Sequence, residues 1–124
     1  MKASDLFVKC LEEEGVTRIF GVPGEENADF MISLKQSKKI EFILCRHEQA
    51  AAFMADVYGR LTGKAGVCLS TLGPGVTNLM TGLADANMDR SPVVAIIGQG
   101  STNRLHKESH QIMDSISMVH PISK

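Results

Sequence analysis

Short apolar segments alternate with helical segments along this chain, and three of the four apolar segments end in a turn that contains glycine or proline. Apolar residues at helical spacing predict helices, and short apolar runs predict buried strands. The predicted order is helix 3–14, strand 18–20, helix 27–34, strand 41–45, helix 48–61, strand 65–71, helix 76–89, strand 93–97 and helix 111–119. Such alternation with short connections is typical of a parallel sheet covered by helices on both faces. The chain is therefore predicted to be α/β, a single three-layer α/β/α domain with a mostly parallel sheet.

Three of the predicted turns follow strands and would lie on the same edge of that sheet. They span Gly21 to Gly24, Arg46 to Glu48, and Leu72 to Gly75. Glycine and proline occur in turns for purely structural reasons, so one such turn says little about function. Three turns at the carboxyl edge, where open α/β sheets bind ligands, favour a binding crevice.

Glu48 is the residue in these turns that can do acid–base chemistry. It stands between the apolar run Phe42–Cys45, which predicts a buried strand, and an alanine-rich helical segment. Little water is expected around it, and burial favours the protonated form of a carboxyl group. A glutamate in such a place is suited to exchange a proton with a bound heterocycle.

Bulk properties exclude several classes of protein. The chain has 124 residues, enough for one domain over 1–124, and its formal net charge of -1 gives no indication of a nucleic-acid partner. No apolar run is long enough to cross a membrane and no export signal opens the chain, so a cytoplasmic protein is expected. Cys10, Cys45 and Cys68 stand singly in apolar segments, which predicts buried free thiols without a disulfide or a zinc site.

Motifs that would indicate other chemistry are incomplete. His47-Glu48 lacks the second histidine of a zinc protease helix, because Ala51 occupies that position. Residues 59–64 have the wrong glycine spacing for a phosphate loop, and Pro74 offers no N–H to a pyrophosphate. The histidines are too dispersed to predict a metal site.

Four segments of the chain are recognisable by their order and spacing, namely Ile19–Gly24, Arg46–Ala51, Tyr58–Lys64 and Leu72–Asn78. Together they resemble the N-terminal pyrimidine-binding domain of thiamine diphosphate-dependent enzymes. Within that superfamily the chain is most similar to the acetolactate synthase (acetohydroxyacid synthase) large-subunit group. A departure is His110, which stands where biosynthetic members usually have phenylalanine, and this pattern is similar to catabolic members.

The resemblance implies a role for eight residues. Glu48 matches the glutamate that hydrogen-bonds the aminopyrimidine ring of the cofactor and activates it. The residues that match cofactor-binding positions are Pro23, Gly24, Glu25, Gly73, Pro74, Asn78 and Gln111. No residue of the chain is expected to bind a metal.

The resemblance also implies a larger protein. In the family, thiamine diphosphate lies between this domain and a second domain that holds its diphosphate and Mg²⁺ through a Gly-Asp-Gly element, which this chain lacks. FAD, where a flavin site is present, would likewise bind through another domain. The substrates implied are pyruvate and a second 2-keto acid, as in branched-chain amino acid biosynthesis. We expect a fragment of a homodimer or dimer of dimers that is inactive alone.

Other functions are compatible with the same residues. A related pyruvate oxidase, a 2-keto acid decarboxylase or an acetyltransferase that acts on a sulfonated aldehyde would use the same domain. A stand-alone α/β binding module without catalysis is an alternative of a different class. Fold alone does not separate these possibilities, and Glu48 is the feature that favours an enzyme.

Overall fold

The computed structural model describes all 124 residues and confirms the predicted alternation of strands and helices. The strands are β1 (Arg18–Gly21), β2 (Glu41–Leu44), β3 (Gly66–Ser70) and β4 (Val93–Ile97). The helices are α1 (Ala3–Glu13), α2 (Ala28–Leu34), α3 (Glu48–Thr62), α4 (Pro74–Met88) and α5 (Ser115–Val119). Short 3₁₀ turns cover Glu25–Asn27, Thr102–Arg104 and His120–Ile122.

The four strands form one sheet in which every pairing is parallel. Their spatial order is β2-β1-β3-β4. The chain first adds β2 on one side of β1 and then returns to add β3 on the other side. The carboxyl ends of β1 and β3 therefore border the point where the strand order reverses, which is the usual ligand site of open α/β sheets.

Helices cover both faces of the sheet, as predicted. One core combines α1 and α2 with strand residues such as Ile19, Val67 and Leu69. The other combines the small residues of α3 and Leu79 of α4 with Cys68 on the opposite face of β3. Because side chains alternate along a strand, both faces of β3 are buried. The molecule is therefore a three-layer α/β/α domain.

Phe42–Leu44 lie in a strand as predicted, but the prediction that this strand is buried is wrong. β2 is an edge strand whose residues are half-buried or exposed, and Leu44 is 70% exposed. An edge strand lacks a neighbour on one side, so an apolar run can stand there without being enclosed. Cys10 is also exposed, contrary to expectation, whereas Cys45 and Cys68 are buried; all three thiols are free.

The last helix is shorter than predicted. Gln111 has a φ of 57°, in the left-handed region, so an α-helix cannot run through it. α5 begins at Ser115 instead, after Asp114 has capped it by accepting a hydrogen bond from the Ser117 backbone N–H at 3.0 Å. None of the helices combines the length and hydropathy that crossing a bilayer requires.

Candidate functional site at the carboxyl edge of the sheet

Glu48 is the first residue of α3 and lies at the carboxyl edge of the sheet. His47 caps the helix, because its Nδ1 accepts a hydrogen bond from the Gln49 backbone N–H at 3.1 Å. This local bond is the one hydrogen bond that the His47 side chain makes in the structure. Glu48 itself is 8% exposed and forms no salt bridge. Its carboxylate is thus shielded from solvent without being neutralised by a cation.

Asn78 holds one oxygen of this carboxylate. It lies in the second turn of α4, and its Nδ2 donates to Glu48 Oε2 at 2.9 Å. No backbone or side-chain donor of the chain bonds to Oε1. Glu48 therefore has one oxygen fixed by the protein and one that can still bond to a ligand.

Gly75 leaves room beside the free oxygen. A Cβ atom placed at this position would lie 3.5 Å from Glu48 Oε1 and 3.1 Å from Thr71 Cγ2. Any larger side chain would extend into the space that adjoins Oε1. The third predicted turn and the Glu48 carboxylate are therefore neighbours, as the sequence predicted.

The turn after β1 packs against the end of β3. A Cβ on Gly24 would lie 2.5 Å from Thr71 Cβ, so only glycine permits this approach. Beside it, Thr71 Oγ1 donates to Glu26 Oε2 at 3.2 Å. The first and third turns are thereby joined where the strand order reverses. With Glu48 beside Gly75, all three turns meet at one edge.

Asn27 carries a buried polar atom without a partner. It is 6% exposed, and its Oδ1 accepts the Gly24 backbone N–H at 2.9 Å. This bond sets the orientation of the amide, which leaves Nδ2 buried and unbonded. The side chain of Asn27 thus closes the turn that precedes α2 and makes no capping hydrogen bond to that helix.

The other predicted site residues differ from one another in exposure and in their contacts. Pro23, Glu25 and Pro74 are exposed, and no hydrogen bond joins them to Glu48. Gly73 is buried against the backbone carbonyl and Cβ of Gln111. The structure thus brings Gln111 to this edge through its backbone, while its side chain remains exposed and makes no hydrogen bond within the chain.

Sequence reasoning missed three residues at this edge. Thr71 and Glu26 connect two turns through their side chains, and Asn27 shapes the first turn. Asn27 had a recognisable signal, since an asparagine three residues after a glycine commonly bonds back to the backbone of a turn. The Thr71–Glu26 contact spans 45 positions of sequence and had no local signal.

The chain contains several cavities. Three cavities have volumes of about 730, 470 and 690 Å³, and Glu48 lines none of them. The last of these is formed by the loop that contains Gln111, whose backbone contacts Gly73. No group of three or more His, Cys, Asp or Glu residues is arranged to hold a metal ion.

Comparison with known proteins identifies one matching family and several similar proteins. Residues 1–118 match the family described as "Thiamine pyrophosphate enzyme, N-terminal TPP binding domain". The acetolactate synthase of Bacillus subtilis (strain 168) is 47% identical over 99% of this chain and 21% of its own length. A probable acetolactate synthase large subunit of Methanocaldococcus jannaschii is 47% identical over 100% of this chain and 21% of its length.

A third relative carries a more specific name. The protein named "Acetolactate synthase, catabolic" of Raoultella terrigena is 47% identical over 98% of this chain and 22% of its own length. The chain thus spans about a fifth of the length of the curated relatives it matches.

Proposed function

The chain belongs to the family of N-terminal TPP-binding domains of thiamine pyrophosphate enzymes, and from that premise we propose that it forms the pyrimidine-binding half of an acetolactate synthase-like active site. Residues 1–124 are, in this proposal, one domain of a longer polypeptide. The span of about a fifth of each relative supports this view. Full-length activity would be the decarboxylation of pyruvate and the joining of the resulting two-carbon unit to a second 2-keto acid.

The free oxygen of Glu48 is the observation that carries the proposal. Oε1 lies at the edge where α/β sheets bind ligands, with Asn78 holding Oε2 and Gly75 leaving space beside it. A shielded carboxyl with one unoccupied oxygen fits a ring nitrogen that shares a proton with it. These residues therefore fit the aminopyrimidine end of thiamine diphosphate.

The remaining site residues have roles that follow from their positions. The backbone of Pro23, Gly24 and Glu25 would line one side of the pyrimidine ring. Because Asn27 Oδ1 occupies the Gly24 N–H, that residue would present its other backbone atoms. The turn at Gly73 and Pro74 would face it, and the exposed side chain of Gln111 would reach toward the cofactor.

Within this arrangement the protein's own task is to place and move a proton. Glu48 would hold it between Oε1 and the ring nitrogen, while Asn78 would keep the carboxylate from turning away. When bound, thiamine diphosphate supplies the stabilised carbanion that decarboxylation requires. Proton transfer by a positioned carboxyl group contributes rate because the group is already within hydrogen-bond reach.

The finer parts of the proposal concern the longer protein. Mg²⁺ and the diphosphate would be held by another domain, as would FAD if the enzyme uses one. The full assembly would be a homodimer or a dimer of dimers with no nucleic-acid or membrane partner. It would work in the cytoplasm, in branched-chain amino acid biosynthesis or in a catabolic route. The names of the relatives support the acetolactate synthase reaction, and one of them is named catabolic.

The test is Glu48→Gln in the longer polypeptide that carries this domain. Glutamine can still accept the Asn78 hydrogen bond, but it cannot exchange a proton at the free position. We expect turnover of pyruvate to fall by about a hundredfold or more, with a melting temperature no lower than that of wild type, because the substitution removes a shielded charge that lacks a full set of partners. Glu14→Gln, at an exposed glutamate after α1, is the matched control for loss of one charge. Near-normal turnover of Glu48→Gln would overturn the proposal.

A further inference from the structure

We propose that Thr71 is a positioning residue for thiamine diphosphate, an inference that rests on the proposed function. Its hydrogen bond to Glu26 sets the spacing between the first turn (Gly21 to Gly24) and the third turn (Leu72 to Gly75), which face each other across the pyrimidine ring. Thr71 directly follows β3, where the strand order reverses, and its side chain is half-buried. It is therefore placed to contact both turns.

The Thr71 hydroxyl holds the first turn. A Cβ on Gly24 would lie 2.5 Å from Thr71 Cβ and 2.6 Å from Thr71 Oγ1, so the Gly24 backbone packs directly on this side chain. Two residues further along, Glu26 Oε2 accepts a hydrogen bond from the hydroxyl at 3.2 Å. No other donor of the chain bonds to the Glu26 carboxylate, and no cation pairs with it. Through this bond the residues that follow the first turn are attached to the end of β3.

The Thr71 methyl group supports the third turn. A Cβ on Gly75 would lie 3.1 Å from Thr71 Cγ2 and 3.5 Å from Glu48 Oε1. Gly75 thus lies between Thr71 and the free oxygen of Glu48. One threonine therefore contacts the backbone of both turns, and it does so next to the space that adjoins Oε1.

The end of β4 limits where Glu26 can move. A Cβ on Gly98 would lie 3.4 Å from Glu26 Cβ and 3.3 Å from Thr71 Cα. The Gly98 backbone N–H donates to the Ser70 carbonyl at 2.9 Å, so Gly98 is itself fixed to β3. Glu26 therefore packs against the ends of two neighbouring strands, and its bond to Thr71 belongs to the carboxyl edge of the sheet.

Loss of this bond should disturb the first turn and not the Glu48 carboxylate. A half-buried carboxylate that loses its one donor gains by turning toward water, and the backbone that carries it moves with it. The bond that fixes Glu48 comes from Asn78 on α4 and does not involve Thr71. The position of the proton is kept, while one wall of the crevice shifts. The result is weaker binding of the cofactor.

The experiment compares Thr71→Val and Thr71→Ser in the longer polypeptide. Valine keeps the size and the methyl group of threonine but removes the donor, whereas serine keeps the donor. Calorimetry in buffer with Mg²⁺ measures the dissociation constant of thiamine diphosphate. We expect Thr71→Val to raise it by about threefold or more, the equivalent of one hydrogen bond, and Thr71→Ser to stay within about twofold of wild type. Thr81→Val, at an exposed threonine of α4, is the matched control.

Substitutions of Glu26 test the same bond from its other end. Glu26→Gln keeps an oxygen that accepts from the threonine hydroxyl and should leave the dissociation constant within about twofold of wild type. Glu26→Met removes the acceptor and should raise the constant as Thr71→Val does. In the double variant the two effects should not add, because both substitutions remove one bond. Pyruvate turnover of Thr71→Val should be low at limiting thiamine diphosphate and should recover as the cofactor concentration is raised.

Three outcomes would contradict these expectations in different ways. An unchanged dissociation constant in Thr71→Val, even with a lowered melting temperature, would make the bond purely structural and overturn this inference. Equal weakening in Glu26→Gln and Glu26→Met would assign the effect to the charge of Glu26 and would overturn it as well. Near-normal turnover of Glu48→Gln would instead overturn the proposed function, whatever affinity the Thr71 variants have.

Discussion

Two buried carboxylates on α3 show how differently the same chemical group can be used. Asp56 is 1% exposed and accepts two hydrogen bonds from Arg60, at 3.0 and 2.7 Å. Glu48, two turns earlier, has a single neutral donor and a free oxygen. A buried charge with a full set of partners stabilises structure, whereas one with an open position costs stability and can bind a ligand. Because of this contrast we propose a function for Glu48 and a structural role for Asp56.

The three cysteines differ in burial, and their reactivity should follow from that difference. Burial raises the pKa of the Cys68 thiol to about 12 and also raises that of Cys45. Since the thiolate is the reactive species, both should resist alkylation in the folded chain. We expect iodoacetamide at pH 8 to modify Cys10 alone, as read by peptide mass spectrometry. In denaturant all three should react, and rapid labelling of Cys68 in the native protein would contradict the burial described.

At the scale of elements, α3 and α4 form the most closely joined pair in the molecule. Arg60 at the end of α3 reaches Asp85 and Asp89 on α4 while it bonds Asp56 within its own helix. Near the start of the pair, Asn78 on α4 bonds Glu48 on α3. The same two helices therefore position the candidate site at one end and are tied by an ion network toward the other.

Arg60→Met should destabilise this pair in a pH-dependent way. The variant leaves the buried Asp56 carboxylate without its cation, so we expect a lower free energy of unfolding than that of wild type at pH 7. Arg60 holds the pKa of Asp56 below its ordinary value of 3.8, first through their hydrogen bond. A lowered carboxyl pKa contributes stability that is present above that ordinary value and is lost as the pH falls below it.

Urea unfolding at several pH values measures this effect. The difference between wild type and Arg60→Met should be full at pH 7 and should shrink below about pH 4. Arg90→Met, at an exposed arginine without a salt bridge, should show little change at either pH. A difference that grows toward acid pH would show that the ion pair is not its source.

Gly82 determines how closely the two helices approach. A Cβ at this position would lie 2.5 Å from Ala52 Cβ and 3.0 Å from the Phe53 backbone nitrogen. Alanine favours a helix over glycine by about 1 kcal/mol, but the overlap forces the helices apart. We expect Gly82→Ala to lower the free energy of unfolding by about 1–3 kcal/mol in a denaturant titration. Thr81→Ala, at the exposed neighbouring position, should stay within about 0.5 kcal/mol of wild type, and a stabilised Gly82→Ala would rule out the close contact.

At the scale of the whole molecule, local sequence patterns predicted the helices and strands. They did not predict the contacts between residues that are far apart in the sequence. The bounds of β4, Val93–Ile97, were predicted to the residue because Pro92 and Gly98 enclose an aliphatic run. The exposure of Leu44 depends on strand order, which no local pattern contains.

In the candidate site, too, some features followed from local sequence patterns and others depended on contacts between distant residues. The three turns could be assigned to one edge because parallel strands share it. The bond between Asn78 and Glu48 joins residues 30 positions apart and required the fold.

In the proposed arrangement, the 124-residue chain supplies only part of the site for thiamine diphosphate. Its contacts to thiamine diphosphate would involve the uncharged pyrimidine end, centred on Glu48. Affinity near 1 µM corresponds to about 8 kcal/mol, and a few hydrogen bonds of about 1 kcal/mol each do not reach it without the charge-assisted contacts to the diphosphate. We expect the 124-residue chain alone to form no acetolactate from pyruvate and to bind thiamine diphosphate more weakly than about 1 µM in calorimetry. Submicromolar binding by this chain would show that a single domain anchors the whole cofactor and would refute the half-site arrangement.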